Sequence, residues 1–97
     1  MSLLSEGEIE RELGKLGLWQ LDDAAIVREL DCGDFVGSVE LVGALVAPAE
    51  ALNHHPDLSI SWSTVTIRIS THSAGGLTAL DFELARRIDL IAAKLSR

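Results

Sequence analysis

Residues 58–69 contain two runs in which apolar and polar side chains alternate, and this pattern constrains the fold most. Such alternation is typical of strands that bury one face and expose the other. Only Ser63 and Thr64 separate the two runs, so we expect an antiparallel hairpin. A hairpin of this kind needs a second layer of structure over its apolar face. The residues expected on that buried face are Leu58, Ile60, Trp62, Val65, Ile67 and Ile69.

The first third of the chain predicts a helix followed by two strands. Ser5 and Glu8 have the spacing of a capping box, which begins a helix. Apolar residues at helical spacing continue to about residue 16, where glycines predict the end of this helix. The elements expected next are a short strand, a turn and a longer strand, at residues 18–21, 22–23 and 25–32.

The middle of the chain predicts one helix over residues 34–53, with Asp34 as its N-cap. Its apolar residues occupy more than one face, so a spare face could pair with another protein surface. Pro48 lacks the backbone donor of a helix interior, and we expect a kink or a restart there. The expected core stripe is Phe35, Val39, Val42, Val46 and Ala49, and the residues beside that stripe are Leu41, Leu45 and Leu52.

A last helix is expected after Gly75 and Gly76, with Thr78 as its cap. The order is then helix, strand, strand, helix, strand, strand, helix, with short connections. This order predicts an α+β fold: a two-layer sandwich in which three helices cover one face of a four-stranded antiparallel sheet. A chain of 97 residues has the size of one domain, so we expect a single domain over residues 1–97.

Charge and cysteine content exclude several classes of function. Eight Lys and Arg residues against fifteen Asp and Glu residues give a net charge of −7, which opposes binding to nucleic-acid phosphates. Cys32 is the only cysteine, so no internal disulfide can form, and we expect a small buried hydrophobe there. The N-terminal residues lack the regions of a signal peptide, and the longest apolar stretch is shorter than a membrane span. We therefore expect a cytoplasmic protein with neither a membrane nor a nucleic-acid partner.

All three histidines, His54, His55 and His72, lie at the ends of predicted elements. Imidazole exchanges a proton near neutral pH, so the cluster indicates acid–base chemistry. Glu50 lies one helical turn before His54 and could orient its ring. Three other interpretations stay open. The histidine pair could simply end the helix, a metal could bind one histidine with Glu50, His72 or Asp81, and Asp81 could cap the last helix.

Five short segments around the histidines form one continuous pattern. The first is Glu-Ala-Leu-Asn-His-His-Pro at residues 50–56, and Trp62 follows it. Ser-Thr-His at residues 70–72, Gly-Leu at residues 76–77 and Asp81 complete the pattern. A double histidine before a proline, with a third histidine and an aspartate at these distances, is a fairly specific signal. Together these segments resemble the pterin-4a-carbinolamine dehydratase family.

The resemblance implies an active site for a reduced pterin, with the three histidines around the reacting carbon and Glu50 and Asp81 supporting them. The implied catalytic residues are His54, His55, His72 and Asp81. The implied substrate-contacting residues are Glu50, His54, His55, Pro56, Thr71, His72, Ser73 and Ala74. Leu58 and Leu80 depart from the family, in which an aromatic and a basic residue are common, so the pterin could be held differently.

The family's reaction removes water from a 4a-hydroxytetrahydropterin and gives the quinonoid dihydropterin. The resemblance implies neither a metal nor another cofactor, because the adjacent ring nitrogen assists departure of the hydroxyl. We hypothesise that His54 and His72 form the acid/base pair and that His55 orients the substrate.

The resemblance also leaves other roles open. Some family members act as dimerisation or interaction modules, and some are linked to molybdopterin metabolism. The spare apolar face of the middle helix predicts self-association whichever role applies. We expect a homodimer or homotetramer formed through the helix at 34–53 and an edge of the sheet.

Overall fold

The computed structural model describes residues 2–95 and contains helices and strands in the predicted order. The elements are α1 (Glu6–Leu16), β1 (Gln20–Asp22), β2 (Ala25–Asp31), α2 (Phe35–Ala44), α3 (Val46–Leu52), β3 (Asp57–Ser61), β4 (Thr64–Ile69), a 3₁₀ turn (His72–Ala74) and α4 (Ala79–Leu95). The α+β class is confirmed, and the predicted middle helix consists of two consecutive helices.

The four strands form one antiparallel sheet in the order β1-β2-β4-β3. β4 lies in the interior of the sheet, between β2 and its hairpin partner β3. The register sets Ile26 opposite Ile69 and Leu58 opposite Ile67. Apolar side chains of neighbouring strands therefore share one face, as the alternation predicts.

The helices cover that apolar face, and the core lies between the two layers. Val65, Ile67 and Ile69 of β4 are fully buried, whereas the residues that alternate with them are half-buried. α4 contacts α1, α2 and α3, so it joins the helical layer together. The predicted two-layer sandwich is confirmed. The rest of the core is Leu16, Trp19, Ile26, Leu30, Leu41, Leu45, Leu77, Phe82, Leu84, Ala85 and Ile88.

α1 begins with the predicted capping box. The Ser5 backbone N–H donates to Glu8 Oε1 at 2.9 Å, and the Glu8 backbone N–H donates to Ser5 Oγ at 3.2 Å. The hydrogen bond from the Ser5 backbone holds the pKa of Glu8 below its usual value. The helix ends at Leu16 as predicted, because Gly17 adopts a φ of 47°, which side chains rarely tolerate.

The middle segment breaks at Leu45, which joins α2 to α3. Pro48 predicts this restart, and the prediction is confirmed. The break lies before the proline, so that Pro48 falls in the first turn of α3. Backbone N–H groups of a first turn have no partner within the helix, so proline sacrifices no hydrogen bond there.

The stripe of α2 and α3 that faces the core is largely not the predicted one. Periodicity gives the angle between two apolar stripes but not which of them meets the sheet. Ser38 is fully buried, and its hydroxyl donates to the Trp62 carbonyl at 2.7 Å. This bond anchors α2 with the second stripe inward. The exposed members of the predicted stripe are Phe35, Val39 and Val46, and the buried residues on the adjacent stripe are Ser38, Leu41 and Leu45.

The segment Phe35–Leu52 has the length and apolar composition that could cross a membrane. In the fold it forms two helices, and α2 and α3 both pack against α4. The core helix of a globular protein meets the same criteria of length and composition. The absence of a membrane partner therefore stays a prediction.

Trp62 lies at the tip of the β3–β4 hairpin and not in the core. Its side chain is 71% exposed, and its φ of 52° belongs to the left-handed region used in tight turns. β3 ends at Ser61, so the turn begins one residue earlier than predicted. Leu58 and Ile60 lie on the helix side of the sheet but remain exposed, because the helices only partly cover this edge strand. The prediction that Trp62 packs with them in the core is wrong.

Candidate active site

His54 lies immediately after the C-terminus of α3. Asn53 ends this helix in a left-handed conformation, with φ 48° and ψ 46°, which asparagine tolerates better than most residues. The His54 backbone N–H then donates to the Ala49 carbonyl at 3.0 Å. This helix end fixes the backbone of His54, and its side chain is 90% buried.

Asp81 lies in the first turn of α4, and its side chain is fully buried. Its Oδ2 accepts a hydrogen bond from the Thr78 backbone N–H at 2.7 Å. A carboxylate at this position satisfies a free backbone donor and interacts well with the positive end of the helix. The interpretation of Asp81 as a helix cap is therefore correct, but it describes only one of two carboxylate oxygens.

The second oxygen, Asp81 Oδ1, lies 2.6 Å from His54 Nε2. Asp81 Oδ2 also accepts a hydrogen bond from Thr71 Oγ1 at 2.8 Å, and Thr71 Oγ1 lies 2.8 Å from Thr78 Oγ1. Thr71 and Thr78 are buried. We call His54, Asp81, Thr71 and Thr78 the buried polar cluster. It joins the end of α3 to the start of α4 and the end of the sheet.

His72 follows Thr71 and lies at the start of the 3₁₀ turn, with its side chain exposed. The Thr71 N–H donates to the Gly76 carbonyl at 3.0 Å, which closes a loop around the 3₁₀ turn. Gly75 takes a φ of 77° there, a conformation that favours glycine. Thr71 therefore ties this loop to Asp81, so that His72 and His54 lie in the same part of the fold.

His55 contacts a different carboxylate from its neighbour. Its Nε2 lies 2.5 Å from Glu50 Oε2, and the His55 and Glu50 side chains are 58% and 68% exposed. The predicted support of a histidine by Glu50 thus occurs at His55 and not at His54. The two neighbouring rings therefore form separate pairs, His54 with Asp81 and His55 with Glu50.

The structure brings together His54, Asp81 and Thr71 in one cluster and Glu50 with His55 in another. Around them, Pro56 and Ala74 are half-buried, whereas His72 and Ser73 are exposed. Thr78 is the member of the cluster that the sequence assigned only to helix capping. Its side chain bonds to Thr71 instead. The signal that could have indicated this is one threonine directly before His72 and another directly before the helix that has Asp81 in its first turn.

Between residues 2 and 95, no three side chains of His, Cys, Asp or Glu lie together as metal ligands would. A surface cavity with a volume of about 770 Å³ lies between β2, the start of α2 and the end of α4. Its lining includes Arg28, Cys32 and Asp89 but no histidine. His54 therefore lies outside this cavity, beside the first turn of α4, whereas the cavity reaches the last turns of that helix.

Comparisons of the sequence with known proteins identify one family. The family model described as pterin 4 alpha carbinolamine dehydratase matches residues 2–91. A Cyanothece sp. protein, provisionally named a pterin-4-alpha-carbinolamine dehydratase, is 43% identical over 90 residues, which cover 93% of this chain and 93% of that protein. A Mycobacterium sp. protein with the same provisional name is 40% identical over 91 residues, covering 94% and 97%.

Solved structures agree with this result. The fold is similar to that of a protein described as a transcriptional coactivator/pterin dehydratase from Brucella melitensis, with a TM-score of 0.87 and 34% identity over 92% of this chain and 97% of that one. A pterin dehydratase-like protein described as a RuBisCO assembly factor in the alpha-carboxysome has a TM-score of 0.61 and 20% identity, covering 76% and 86%. The second likeness concerns the fold alone.

Proposed function

The chain belongs to the pterin 4 alpha carbinolamine dehydratase family, and we propose that it removes water from a 4a-hydroxytetrahydropterin. The product is the quinonoid dihydropterin. No electrons are transferred in this reaction, since the carbon–oxygen bond breaks as the lone pair of the adjacent ring nitrogen moves in. The protein must supply an acid for the leaving hydroxyl and a base for a ring N–H, and imidazole suits both tasks near neutral pH.

One observation carries the proposal: the short contact between His54 and the fully buried Asp81. Helix capping alone explains the contact of Asp81 with Thr78, but it does not explain a histidine ring on the other carboxylate oxygen. A buried carboxylate orients an imidazole and stabilises its protonated form, as in the catalytic triads of hydrolases. The same residue therefore supports both the fold and the proposed chemistry.

We assign the roles as follows. His54 and His72 form the acid/base pair, and His55 binds and orients the pterin together with Glu50. The loop that starts at Thr71 and the residues after α3 form the walls of the substrate site. His72 is exposed and linked to His54 through Thr71 and Asp81, so a pterin ring between the two imidazoles would contact both.

The proposal is tested by a dehydration assay with 4a-hydroxytetrahydropterin, followed by absorbance and corrected for the uncatalysed rate. The assay is run on protein treated with a chelator, because the expected reaction requires no metal. We expect activity after chelation. Activity that disappears with the chelator and returns with a divalent cation would contradict the metal-independent mechanism.

Two single substitutions locate the chemistry. His54→Ala and His72→Ala should each lower kcat by about 10²–10⁴-fold, the usual contribution of general acid–base catalysis. Lys94→Ala is the matched control, since Lys94 is exposed in the last turn of α4, far from Asp81 along the helix. Full activity in both histidine variants would contradict the assignment.

A second candidate function is a non-catalytic interaction module. The exposed apolar face of α2 and α3, which we call the outer face, favours it, and its members are Phe35, Val36, Val39 and Val46. Exposed apolar patches on small proteins usually mark contact surfaces. A solved structure that is 34% identical to this chain and is described as a transcriptional coactivator/pterin dehydratase gives this candidate further support. Pterin turnover by the wild-type chain would decide against it as the sole function.

The outer face also supports self-association. We propose a homodimer or homotetramer formed through this face and the exposed edge strand β3, whose Leu58 and Ile60 are incompletely covered. Light scattering at micromolar concentration measures the mass directly. Val39→Glu should shift the wild-type assembly to a smaller species, because it places a charge in the contact. A monomeric wild-type chain would contradict the proposal.

A further inference from the structure

The buried polar cluster allows only one arrangement of its hydroxyl protons when Asp81 is ionised. An ionised carboxylate has acceptors and no donor, so Thr71 Oγ1 must donate its single proton to Asp81 Oδ2. Thr71 then has no proton left for the bond to Thr78. Thr78 Oγ1 is therefore the donor in that bond, and Thr71 is the acceptor. The hydrogen bonds are therefore all donated in one direction, from Thr78 to Thr71 and from Thr71 to Asp81.

The same reasoning determines the tautomer of His54. Asp81 Oδ1 can only accept, so the hydrogen of the neutral His54 ring is on Nε2, 2.6 Å from that oxygen. Nδ1 then carries the lone pair. Among residues 2–95, Nδ1 has no hydrogen-bond partner, and no buried side-chain nitrogen or oxygen lacks one. Nδ1 therefore reaches the surface, on the part of the ring that remains accessible.

We propose that Thr71 and Thr78 are positioning residues that hold His54 in a single tautomer, so that Nδ1 is the atom that exchanges a proton with the substrate. The substrate part of this inference rests on the proposed dehydratase function. The tautomer part rests only on the contacts of the buried polar cluster. Both threonines are buried, and their hydroxyls bond to each other and, from Thr71, to Asp81.

The proton balance of the step follows from this assignment. Nδ1 of neutral His54 takes the proton of a pterin ring N–H and the imidazolium forms against Asp81. The electron pair left on the ring expels the hydroxyl, which leaves as water with a proton from His72. The His54 imidazolium then returns its proton through solvent to His72. The substrate has lost one water, and the protein returns to its starting state.

Burial explains why two threonines are required for this role. Without the two threonines, water could form hydrogen bonds with Asp81 from several directions, and the carboxylate could rotate. Thr71 and Thr78 exclude water from Oδ2 and replace it with fixed donors, and Asp81 itself has no exposed surface. A fixed carboxylate selects one ring orientation, as outer-shell groups do for histidine ligands of metals.

The first measurement is of the tautomer itself. A two-bond ¹H–¹⁵N correlation spectrum of the imidazole nitrogens, at a pH where the rings are neutral, distinguishes a protonated from an unprotonated nitrogen at each ring. We expect His54 with a protonated Nε2 and an unprotonated Nδ1. His55 is the internal control, because its ring pairs with an exposed carboxylate and should populate both tautomers. A His54 ring with its proton on Nδ1 would overturn the inference.

Matched substitutions test the threonines. Thr71→Val and Thr78→Val keep the branched shape but remove each hydroxyl, and Thr71→Ser and Thr78→Ser restore it. We expect Thr71→Val to mix the His54 tautomers and to lower kcat by about 10–100-fold, a magnitude typical of outer-shell partners, with KM unchanged. Thr78→Val should act less strongly, since Thr71 can still donate to Asp81. The serine variants should recover both the spectrum and kcat.

The outcomes separate this inference from the proposed function. The expected His54 spectrum without any pterin dehydration in the wild type would contradict the function and leave the tautomer assignment standing. Dehydration by a wild-type protein with mixed His54 tautomers would support the function and contradict the tautomer assignment. If Thr71→Val fails to fold, Thr71→Ser and Thr78→Val still test the positioning role of the two threonines. Unchanged spectra and kcat in Thr78→Val and in a folded Thr71→Val would overturn it.

Discussion

His54 and His55 are neighbours in the sequence, and each has a carboxylate oxygen at nearly the same distance, 2.6 Å for Asp81 and 2.5 Å for Glu50. Their surroundings are opposite. The first pair is almost completely buried and shares its carboxylate with two threonines, whereas the second pair is more than half exposed. Water screens the exposed pair and competes for its hydrogen bonds, so contact distance alone does not give the strength of an ion pair.

The two carboxylates differ in how firmly each can fix the histidine ring that it contacts. The buried carboxylate has fixed donors and one possible partner nitrogen, so it can determine the position and the tautomer of a ring. The exposed carboxylate can turn toward solvent at little cost, which suits a residue that must adapt to an incoming ligand. Catalytic positioning is therefore expected at His54, and adaptable substrate contact at His55.

The most severe test of this comparison is Asp81→Asn. The amide has nearly the same shape, but its NH₂ group can donate to His54 Nε2 and so select the wrong tautomer. In a hydrolase triad the equivalent change lowers kcat by about 10⁴-fold, and we expect a loss of about 10³–10⁴-fold here. The measurement is kcat for the dehydration, with circular dichroism to check that the variant is folded. A folded variant within tenfold of wild type would remove the special role of the buried pair.

A second pair of neighbours extends the comparison from charge to packing. Leu45 is 1% exposed and Val46 is 59% exposed, although both are apolar residues at the junction of α2 and α3. Leu45→Ala should lower the free energy of unfolding by about 2–5 kcal/mol, because it leaves a cavity in the core. Val46→Ala is the control: for the separate subunit, measured at high dilution, it should change this free energy by no more than about 0.5 kcal/mol. Urea denaturation measures both.

The result at Val46 also bears on the outer face. At micromolar concentration, a loss at Val46 well above the high-dilution value would mean that a second surface covers Val46, as the proposed assembly requires. A small loss at Leu45 would contradict the structure more directly, since the sequence pattern alone had placed Val46 in the core and Leu45 beside it.

These two pairs show what the sequence could and could not predict. Capping residues, alternation and a proline within a helical pattern act locally, so the order of elements and the restart of the middle helix follow from them. Which apolar stripe meets the sheet depends on a contact between Ser38 and the distant Trp62 carbonyl. Alternation does not show where a strand ends and its turn begins, so it wrongly predicts that Trp62 lies in the core.

The site divides in the same way. The spacing of the histidines and Asp81, read through the family resemblance, predicts where the site lies. The structure shows that His54 contacts Asp81, and the roles of both residues stay predictions. The pairing of Glu50 with His55 was not predictable, because it depends on the left-handed turn at Asn53. The role of Thr78 was also missed, since a threonine before a helix is normally interpreted as its cap.

Glu50→Gln is the matched counterpart of Asp81→Asn and should have a much smaller effect. An exposed ion pair contributes at most about 1 kcal/mol, which corresponds to a factor of about five in rate or binding. We expect kcat to stay close to wild type and KM for the pterin to rise within that factor. Steady-state kinetics over a range of pterin concentrations separate the two. A loss in kcat as large as that of Asp81→Asn would abolish the contrast between the pairs.

The smallest expected effect is on Tm, and it concerns a carboxylate on the surface of the protein. A hydrogen bond from Arg86, and then one from Arg87, holds the pKa of Glu83 below its usual value of 4.5. A lowered pKa in the folded state means that the ionised group stabilises the fold above the unfolded-state pKa. That contribution is lost as the pH falls through the folded-state value. Glu83→Gln should therefore lower Tm slightly at neutral pH and low salt.

The difference in Tm between wild type and Glu83→Gln should shrink as the pH falls below 4.5 and also when salt screens the charges. Differential scanning calorimetry at two pH values and two salt concentrations measures both trends. Asp81→Asn gives the reference for a buried carboxylate. The hydrogen bonds of Asp81 are sealed from solvent, so its contribution to Tm should change little with salt. A Glu83 effect that persists in high salt would mean that burial is not what separates weak from strong carboxylate contacts in this fold.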